Sequence, residues 1–400
     1  MSVKNTTIGR RQFLGQSAAA AAAFSIVRAR AVAGTAANSK IEIGIVGTGR
    51  RANWISRLFN DHGGYQIVSL ADVFADQLKS GQENLRVDPK RCYLGLESYK
   101  ELVASNLDAV VIESPPYCHP EQSMAAVEAG KHVFLAKPVA TDVPGCRTIL
   151  AAGEKAKGKL SFLVDFQTRA MPLFQEAAKR VSDGEIGRSI CGHVNYDADM
   201  LPISADPKNP TKETRLRNWL FDVGLSGDII VEQNVHVLDV ANWLLQSHPV
   251  KAWGDGGQKS RKGLGDTWDH YVVAYTYPND ILVSFYSTQF IKSRGELHTR
   301  IYGDKGTVFT NYTGIVHIEG EQPWPGGKES DTFAQGARNN IKAFAESLHS
   351  GEYLNNAEVS TISTLTGVLG RTAAYKGRVV TWDEMMTENA KLESRVEECL

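Results

Sequence analysis

The sequence predicts an α/β protein of two domains, the first built on a doubly wound parallel sheet and the second on an open, mainly antiparallel sheet. Three observations support this fold class. The chain has 400 residues, which exceeds the roughly 250–300 residues that one hydrophobic core usually serves. Between about residues 41 and 165, short apolar runs alternate with helical patterns, which is typical of a parallel sheet covered by helices. Beyond about residue 170, apolar runs follow one another without intervening helices, which favours an antiparallel sheet.

The first domain is predicted to span residues 34–165. A helical pattern such as Glu121–Ala129, closed by Gly130, lies between two apolar runs. The runs are too short for core helices and are read as buried strands. The predicted strands are Ile41–Val46, Gln66–Ala71, Ala109–Ile112, His132–Leu135 and Leu160–Phe166.

The second domain is predicted to span residues 166–383, followed by a polar helical tail at 384–400. A loop rich in Pro, Lys and Asp, Pro202–Lys212, separates its first strand from a single helix over Gly227–Leu245. Its predicted strands are Ile190–Tyr196, Tyr271–Tyr277, Ile281–Gln289, Thr299–Tyr302 and Thr307–Asn311. Its other predicted helices are Pro172–Asp183, Asn339–Leu348 and Thr361–Tyr375.

Composition narrows the classes of function. A hydrophobic content of 42%, a charged content of 22% and a formal net charge of −1 are ordinary for a globular protein. No basic excess suggests a nucleic-acid partner, and no charge excess suggests a membrane surface. The five cysteines include no CxxC pair, so neither a disulfide framework nor a cysteine zinc site is expected.

Residues 1–33 have the features of an export signal. Arg10-Arg11 precedes a weakly apolar run to Val27 that is shorter than a membrane-spanning helix requires, and Ala31-Val32-Ala33 offers a small-residue cleavage site. The pattern resembles a twin-arginine signal, which exports folded proteins. We therefore expect a periplasmic or otherwise exported protein without membrane insertion in the mature form. The alternative is a disordered, alanine-rich leader.

A glycine turn follows the first predicted strand. Gly47-Thr48-Gly49-Arg50-Arg51-Ala52 fits the pattern GxGxxG/A of dinucleotide-binding Rossmann domains, in which glycines let the backbone approach a pyrophosphate. Asp72 ends the next strand about 25 residues after Gly47, near the position of the acid that binds a ribose. This acid favours NAD over NADP, while Arg50 and Arg51 leave NADP open because either could meet a phosphate. The alternative for Asp72 is a turn or helix-capping residue.

Several further motifs together resemble the Gfo/Idh/MocA oxidoreductase family over residues 41–383. They are "SPPYCH" (Ser114–His119), "AGKHVFLAKPVA" (Ala129–Ala140), "GDIIVEQNVHVLDVANWLL" (Gly227–Leu245) and "YGDKGTV" (Tyr302–Val308). The resemblance implies a Rossmann domain, an open-sheet domain with the active site in the cleft between them, and hydride transfer between NAD(P) and a sugar or cyclitol hydroxyl. It also implies a homo-oligomer that pairs through the open sheet.

The resemblance assigns roles to individual residues. The family motif Glu-Lys-Pro falls on Ala136-Lys137-Pro138, so the lysine is kept and the glutamate is not. The family pattern Asp-x-x-x-His falls on Glu232 and His236. "VDFQTRAMP" (Val164–Pro172) resembles the segment entering the second domain. The cofactor-side residues implied are Gly47, Gly49, Arg50, Asp72, Pro115, His119, Lys137 and Gln167. For His119, a loop histidine without a role is the alternative.

The predicted catalytic residues are Lys137, His236 and Glu232. Removing a hydride from a carbinol carbon requires a base at its hydroxyl, and histidine titrates near neutrality. Read as one helix, Glu232, His236 and Asp239 share a face. His236 is then a general base oriented by an acid, and Lys137 stabilises the developing alkoxide. An ordinary amphipathic helix is one alternative, and a metal site is another, although no clear third or fourth ligand is present.

Substrate contacts are expected from polar and aromatic side chains in segments facing the cleft, because sugars present both hydroxyls and C–H faces. Packing roles are the alternative for each of them. The candidates are Arg169, Tyr196, Arg217, Asn218, Trp219 and His270.

The expected function is an exported NAD(P)-dependent oxidoreductase that acts on a sugar, sugar derivative or cyclitol. Outside the cytoplasm no free nicotinamide pool can be counted on, so we expect the cofactor to be loaded before export and held tightly. The first alternative is an NAD-dependent glycosidase or lyase of the same fold that oxidises, eliminates and returns the hydride. The second is a catalytically silent sugar or nucleotide sensor, which the presence of Lys137 and His236 disfavours.

Overall fold

A computed structural model describes residues 40–399, and the predicted leader at residues 1–33 lies outside them. The first sheet is wholly parallel and has the spatial order β3-β2-β1-β4-β5-β6. Its strands are β1 (Ile41–Val46), β2 (Tyr65–Asp72), β3 (Cys92–Leu94), β4 (Ala109–Ile112), β5 (His132–Leu135) and β6 (Phe162–Val164). Its helices are α1 (Arg50–His62), α2 (Ala75–Leu85), α3 (Ser98–Ala104), α4 (His119–Glu128) and α5 (Val143–Ala156).

The second sheet has nine strands in the order β14-β13-β12-β11-β7-β10-β9-β8-β15, and only the pair β7 and β10 is parallel. Its strands are β7 (Ser189–Ala198), β8 (Lys251–Gly257), β9 (His270–Thr276), β10 (Leu282–Gln289), β11 (Glu296–Gly303), β12 (Gly306–Asn311), β13 (Ile315–Gly320), β14 (Trp324–Lys328) and β15 (Val380–Thr381). The later helices are α6 (Pro172–Ser182), α7 (Thr214–Arg217), α8 (Val223–Ser226), α9 (Ile229–Glu232), α10 (Val235–Leu245), α11 (Thr332–Ser350), α12 (Ala357–Lys376) and α13 (Trp382–Glu388). The predicted fold class, a parallel-sheet Rossmann domain followed by a mainly antiparallel sheet, is confirmed.

Helix α11 follows the second sheet in sequence but packs in the core of the first. Ile341 and Phe344 are fully buried there with Ile43 and Phe134, and the rings of Phe134 and Phe344 lie 5.7 Å apart. Burial of each such side chain contributes about 1.5–3 kcal/mol. The two sheets therefore share one compact unit over the described residues.

The single helix predicted over Gly227–Leu245 is wrong. The structure has α9 and α10 instead, separated by Gln233 and Asn234. Asp228 caps α9 through its side chain, which accepts from the amide of Ile229, and the segment is too apolar on all sides for its pattern to reveal the break. Glu232 and Asp239, the two acids predicted to share a face with His236, therefore lie on different helices.

The tail differs from a continuous polar helix. Helix α13 ends at Glu388, and a single 3-10 turn, Val396–Cys399, follows. Val396 and Cys399 are buried at 4% and 3% exposure, in a cluster with Phe74, Leu216 and Leu225. The end of the chain thus packs beside the loop that follows β2.

Candidate active site

The glycine turn stands where the sequence predicts it, between β1 and α1. Gly47 has a φ of +86°, and a Cβ there would lie 2.8 Å from the amide nitrogen of Ser114 and 2.9 Å from the carbonyl carbon of Glu113. Only glycine fits this conformation and this close approach. The turn therefore meets the loop that follows β4, at the point where the strand order reverses and where open α/β sheets bind ligands.

Asp72 is fixed against this turn. Its Oδ2 accepts hydrogen bonds from the amide (2.6 Å) and the hydroxyl (2.8 Å) of Thr48, and its Oδ1 accepts from the amide of Phe74 at 2.8 Å. The carboxylate therefore supports the turn, the structural role that the sequence left open, and it also borders the cleft.

A cleft runs from the glycine turn along the carboxyl ends of β1, β2 and β4. Five residues predicted to bind the cofactor lie along it: Gly47, Gly49, Arg50, Asp72 and Pro115. The opposite wall comes from the segment between β7 and α8 and includes Ser204, Leu216, Arg217, Trp219 and Leu220.

Trp219 and Arg217 lie on the cofactor side of the cleft, which differs from their predicted role as substrate contacts. Both line the cleft opposite Asp72 and Phe74. The guanidinium of Arg217 lies 4.0 Å from the ring centroid of Phe74 and donates to Asp76 at 2.8 Å. The amide of Asn218, another predicted contact, instead holds the backbone of Ser204 and Ala205. The segment between β7 and α8 is long and polar, and its sequence does not indicate that it folds back over the cleft.

Lys137 and Glu232 form the centre of a second group of side chains. The Lys137 ammonium donates to the backbone carbonyl of Glu232 at 2.5 Å and to its Oε1 at 3.0 Å. The two side chains are 9% and 12% exposed. Burial lowers the pKa of Lys137, and the charge of Glu232 opposes that shift. The predicted pair of catalytic side chains is thus brought together from both domains.

His236 lies near the start of α10 and is 5% exposed. Its ring centroid is 5.0 Å from that of Tyr312 and 6.2 Å from that of Phe166. Its Nδ1 has no hydrogen-bond partner within residues 40–399. Burial, followed by the charges of Lys137 and Arg51, lowers the pKa of His236 well below its usual value, so the imidazole is neutral at neutral pH.

Neither predicted acid orients His236 by a hydrogen bond, which corrects the shared-face prediction. Glu232 is engaged by Lys137, and Asp239 accepts three hydrogen bonds of 2.9–3.0 Å from the guanidinium of Arg169 and one from Ser363. The helix break at Gln233 and Asn234 separates the acids. Arg169, predicted to meet substrate, is accordingly held by Asp239 and stacks on Trp243 at 5.1 Å.

Gln167 and Tyr196 lie with this second group. The side chain of Gln167 is fully buried, donates to Asp165 at 2.9 Å and accepts from the Tyr312 hydroxyl at 3.1 Å. Tyr196 is 8% exposed, and burial, reinforced by the charge of Glu232, raises its pKa.

His119 and His270 do not face the cleft as predicted. His119 is 1% exposed, and its ring nitrogens lie 2.8 Å from the carbonyl of Ser114 and 2.7 Å from that of Pro138. It ties together the loops after β4 and β5, and burial lowers its pKa to about 4. His270 contacts Asp269 at 2.7 Å and lies on the open face of β9, opposite to the buried Tyr271. Buried and exposed residues alternate along β9, so His270 points to the face opposite Tyr271.

Sequence reasoning missed a buried ion cluster next to Lys137. Nε of Arg51 lies 2.8 Å from Oε2 of Glu113, and its Nη2 lies 2.7 Å from Oδ2 of Asp165. Both carboxylates are fully buried, and Asp165 also accepts from Asn340 at 2.8 Å. Glu113 and Asp165 each end a run of apolar strand residues, so their position at the carboxyl ends of parallel strands was a usable signal. Tyr312 was also missed, and the sequence carries no signal for it.

Within residues 40–399, no cluster of three or more His, Cys, Asp or Glu side chains is arranged to hold a metal ion. No helix among those residues is both long and apolar enough to cross a membrane.

The fold and the cleft are those of a protein with a Rossmann dinucleotide-binding domain and a second domain built on an open sheet. Residues 41–164 match the family model described as "Oxidoreductase family, NAD-binding Rossmann fold", and residues 174–309 match "GFO/IDH/MocA C-terminal domain". The chain therefore belongs to the Gfo/Idh/MocA oxidoreductase family.

The relatives that have names share about a quarter of their aligned residues with this chain. The chain is 26% identical over 281 residues to an inositol 2-dehydrogenase of Acidothermus cellulolyticus, covering 68% of this chain and 73% of that protein. It is 27% identical over 289 residues to the inositol 2-dehydrogenase of Rhizobium meliloti, covering 70% and 78%. Two solved structures share the fold. The myo-inositol 2-dehydrogenase of Lactobacillus plantarum has a TM-score of 0.68 at 20% identity over 86% of this chain and 99% of that one. A levoglucosan dehydrogenase in complex with NADH and levoglucosan has a TM-score of 0.70 at 17% identity, with the same coverage.

Proposed function

We propose that the protein oxidises or reduces a hydroxyl or keto group of a sugar, sugar derivative or cyclitol by hydride transfer with NAD. The observation that carries the proposal is the buried ion pair of Lys137 with Glu232. The charge of Lys137 acts on the neutral His236 and also on Glu113, which lines the cleft that starts at the glycine turn. NAD suits the cleft because Gly47 has no Cβ. The glycine turn can therefore lie close to Ser114, and its backbone stays open to a pyrophosphate. An acid at position 72, rather than a basic residue, disfavours a 2′-phosphate and hence NADP.

The protein's own groups supply the proton chemistry, while the nicotinamide ring accepts or returns the hydride. The ammonium of Lys137 stabilises the alkoxide that forms as the hydroxyl proton leaves. Glu232 holds that ammonium through two hydrogen bonds. The neutral ring of His236 takes the proton as the general base, and its low pKa keeps it unprotonated before the reaction. Burial of Lys137, Glu232 and His236 excludes water, and the electrostatic interactions of these side chains are stronger in its absence.

The relatives support the class of substrate. Those named above are inositol dehydrogenases, and a structural neighbour binds levoglucosan together with NADH. Polyhydroxylated rings also suit the hydrogen-bonding side chains of Lys137, Gln167 and Tyr196 near the site.

A substrate panel tests this function. The purified protein, with NAD⁺ supplied, is incubated with inositols, aldoses, levoglucosan and aryl glycosides, and NADH absorbance and products are followed. A ketosugar, lactone or inosose formed in step with NADH supports the proposal. Release of the aglycone without net NADH would replace it with the oxidation–elimination–reduction alternative. Absence of any turnover across the panel would count against both.

The proposal extends to an exported protein that retains its cofactor. Arg10-Arg11 and the apolar run behind it support export through a twin-arginine pathway. The wall formed by Leu216, Arg217 and Trp219 supports retention, because it faces the glycine turn across the cleft. Mass spectrometry of the native protein, purified without added cofactor, is expected to find a bound mass that matches NAD(H). A bare polypeptide would contradict retention.

Replacing Arg217 with alanine is expected to release bound cofactor about fivefold faster. The change removes partly exposed ion pairs with Asp76 and Glu213 and a cation–π contact with Phe74, together worth about 1 kcal/mol. Dissociation is measured by the fluorescence of bound NADH after dilution. Arg188→Ala, which removes an exposed pair with Asp304 outside the cleft, is the control. Equal rates for the two variants would show that Arg217 does not retain the cofactor.

The open face of the second sheet supports a homo-oligomer. Trp253, Val272, Leu282 and Tyr286 lie on this face of β8, β9 and β10 and are 44–57% exposed. Such a contiguous apolar patch marks an interface, and a second copy of the chain is the proposed partner. Sedimentation velocity is expected to find an oligomer that the double substitution Trp253→Glu and Tyr286→Glu converts to monomer. A monomeric wild-type protein would overturn this assignment.

A further inference from the structure

Glu113 is a buried carboxylate at the carboxyl end of β4, and the hydride-transfer chemistry above does not use it. Strand β4 pairs with β5 in the register Ile112 to Leu135, and Ala136 donates its amide to Ile112 at 3.0 Å. Glu113 therefore stands beside Ala136, where each residue directly follows its strand. Position 136 is where the resembled motif carries a glutamate, so the chain has an acid next to that place rather than in it.

The carboxylate of Glu113 forms an ion pair but accepts no hydrogen bond. Oε2 lies 2.8 Å from Nε of Arg51, yet neither Oε1 nor Oε2 has a hydrogen-bond partner among residues 40–399. The side chain is fully buried. Glu113 lines the cleft with Gly47, Gly49 and Ser114. A buried acceptor without a donor is costly, and this one borders the place where the dinucleotide is expected.

The charged groups that face Glu113 come from three elements. Arg51 approaches from α1, Lys137 from the loop after β5, and Asp165 from the loop after β6. Burial, reinforced by the charge of Asp165, raises the pKa of Glu113 to about 7, and the two cations oppose that shift. Near neutrality the side chain of Glu113 is therefore a mixture of the protonated and ionised forms before the cofactor binds.

We propose that Glu113 is a cofactor-facing acceptor that releases its proton to solvent when the dinucleotide binds, so that binding of NAD⁺ depends on pH. This rests on the proposed function only in assuming that the cleft holds NAD. The ribose hydroxyls of the dinucleotide are donors for the free Oε1, and the positive charge of the oxidised nicotinamide ring favours the ionised carboxylate.

The sign of the pH dependence follows from linkage. A ligand that favours the ionised form lowers the pKa of Glu113 on binding, so affinity is highest above pH 7 and falls as the pH drops below it. Between pH 8 and pH 6, the affinity for NAD⁺ is expected to fall about tenfold. About one proton is released per NAD⁺ bound at pH 6.

Isothermal titration calorimetry tests the proposal without measuring turnover. Protein stripped of cofactor on charcoal is titrated with NAD⁺ between pH 6 and pH 8, in buffers with different enthalpies of ionisation. Glu113→Gln is expected to bind NAD⁺ with little dependence on pH and to release no proton. Glu329→Gln is the matched control, because Glu329 also has a raised pKa and an unpartnered buried oxygen but does not line the cleft. It should behave like the wild type.

Each outcome has one meaning. Proton release by the wild type that is lost in Glu113→Gln supports the proposal. Binding that is independent of pH in the wild type, or proton release that persists in Glu113→Gln, overturns it. Failure of the wild type to bind NAD⁺ at any pH refutes the proposed function instead. If Glu113→Gln does not fold, the buffer dependence of the wild-type heat still decides whether a proton is released, and Glu113→Asp reports whether it comes from this position.

Discussion

Replacing Lys137 with methionine is expected to lower kcat/KM for oxidation of the sugar or cyclitol by about 10²- to 10⁴-fold. Methionine keeps most of the length of the side chain but removes the ammonium that Glu232 holds at 3.0 Å. Without this charge the developing alkoxide is left unstabilised in a buried site. Affinity for NAD⁺ should change much less, because the glycine turn and Asp72 are untouched.

Steady-state kinetics and calorimetry on the same preparation separate these effects. Lys131→Met is the matched control, since the Lys131 ammonium also bonds to backbone carbonyls, those of Ser105 and Leu107, but lies outside the candidate site. Its kcat/KM should stay within about threefold of wild type. Turnover by Lys137→Met at the level of this control would remove Lys137 from the chemistry and favour a silent sensor or a different site.

Replacing Gly47 with alanine is expected to weaken binding of NAD⁺ by about 10- to 100-fold and to lower the free energy of unfolding by about 1–3 kcal/mol. The added Cβ meets backbone atoms of Ser114 and Glu113 at 2.8–2.9 Å, and the φ of +86° is strained for alanine. Since the neighbours are backbone rather than side-chain ends, the loop after β4 must move away from the turn. That movement widens the part of the cleft where the pyrophosphate is expected.

Gly63→Ala distinguishes strain from obstruction. Gly63 also has a positive φ, +78°, but no atom lies within 4 Å of a Cβ placed there. Thermal unfolding should show the cost of a left-handed alanine, about 1 kcal/mol, in that variant, while its affinity for NAD⁺ stays at the wild-type value. Equal affinities for the Gly47→Ala and Gly63→Ala variants would mean that the turn does not approach the cofactor.

Much of the fold could be predicted because its signals are local. The buried strands Ile41–Val46, Ala109–Ile112 and His132–Leu135 appear in the structure with the predicted bounds. Short or glycine-rich strands were missed, for example Lys251–Gly257 and Val380–Thr381. They have little periodicity of their own and are specified by the strands beside them.

The candidate site could be predicted only in part. The family resemblance grouped Lys137 with Glu232, and the structure joins their side chains by a hydrogen bond of 3.0 Å. It did not reveal that Trp219 lines the cofactor side, that Asp239 holds Arg169, or that Glu113 and Asp165 flank Arg51. Each of these depends on how a loop or a broken helix folds back, which no periodicity describes.

The sequence by itself determined the order of buried strands and helices, the glycine turn and the acid that closes the second strand, because backbone propensity and side-chain periodicity act between near neighbours. The tertiary structure alone decided which charges meet. Lys137 bonds to Glu232 across 95 residues, and Arg51 bonds to Asp165 across 114. Lys137 and Asp165 follow parallel strands, whose carboxyl ends meet at one edge of the sheet, while Glu232 and Arg51 reach that edge on helices. Burial then requires each charge to find a partner.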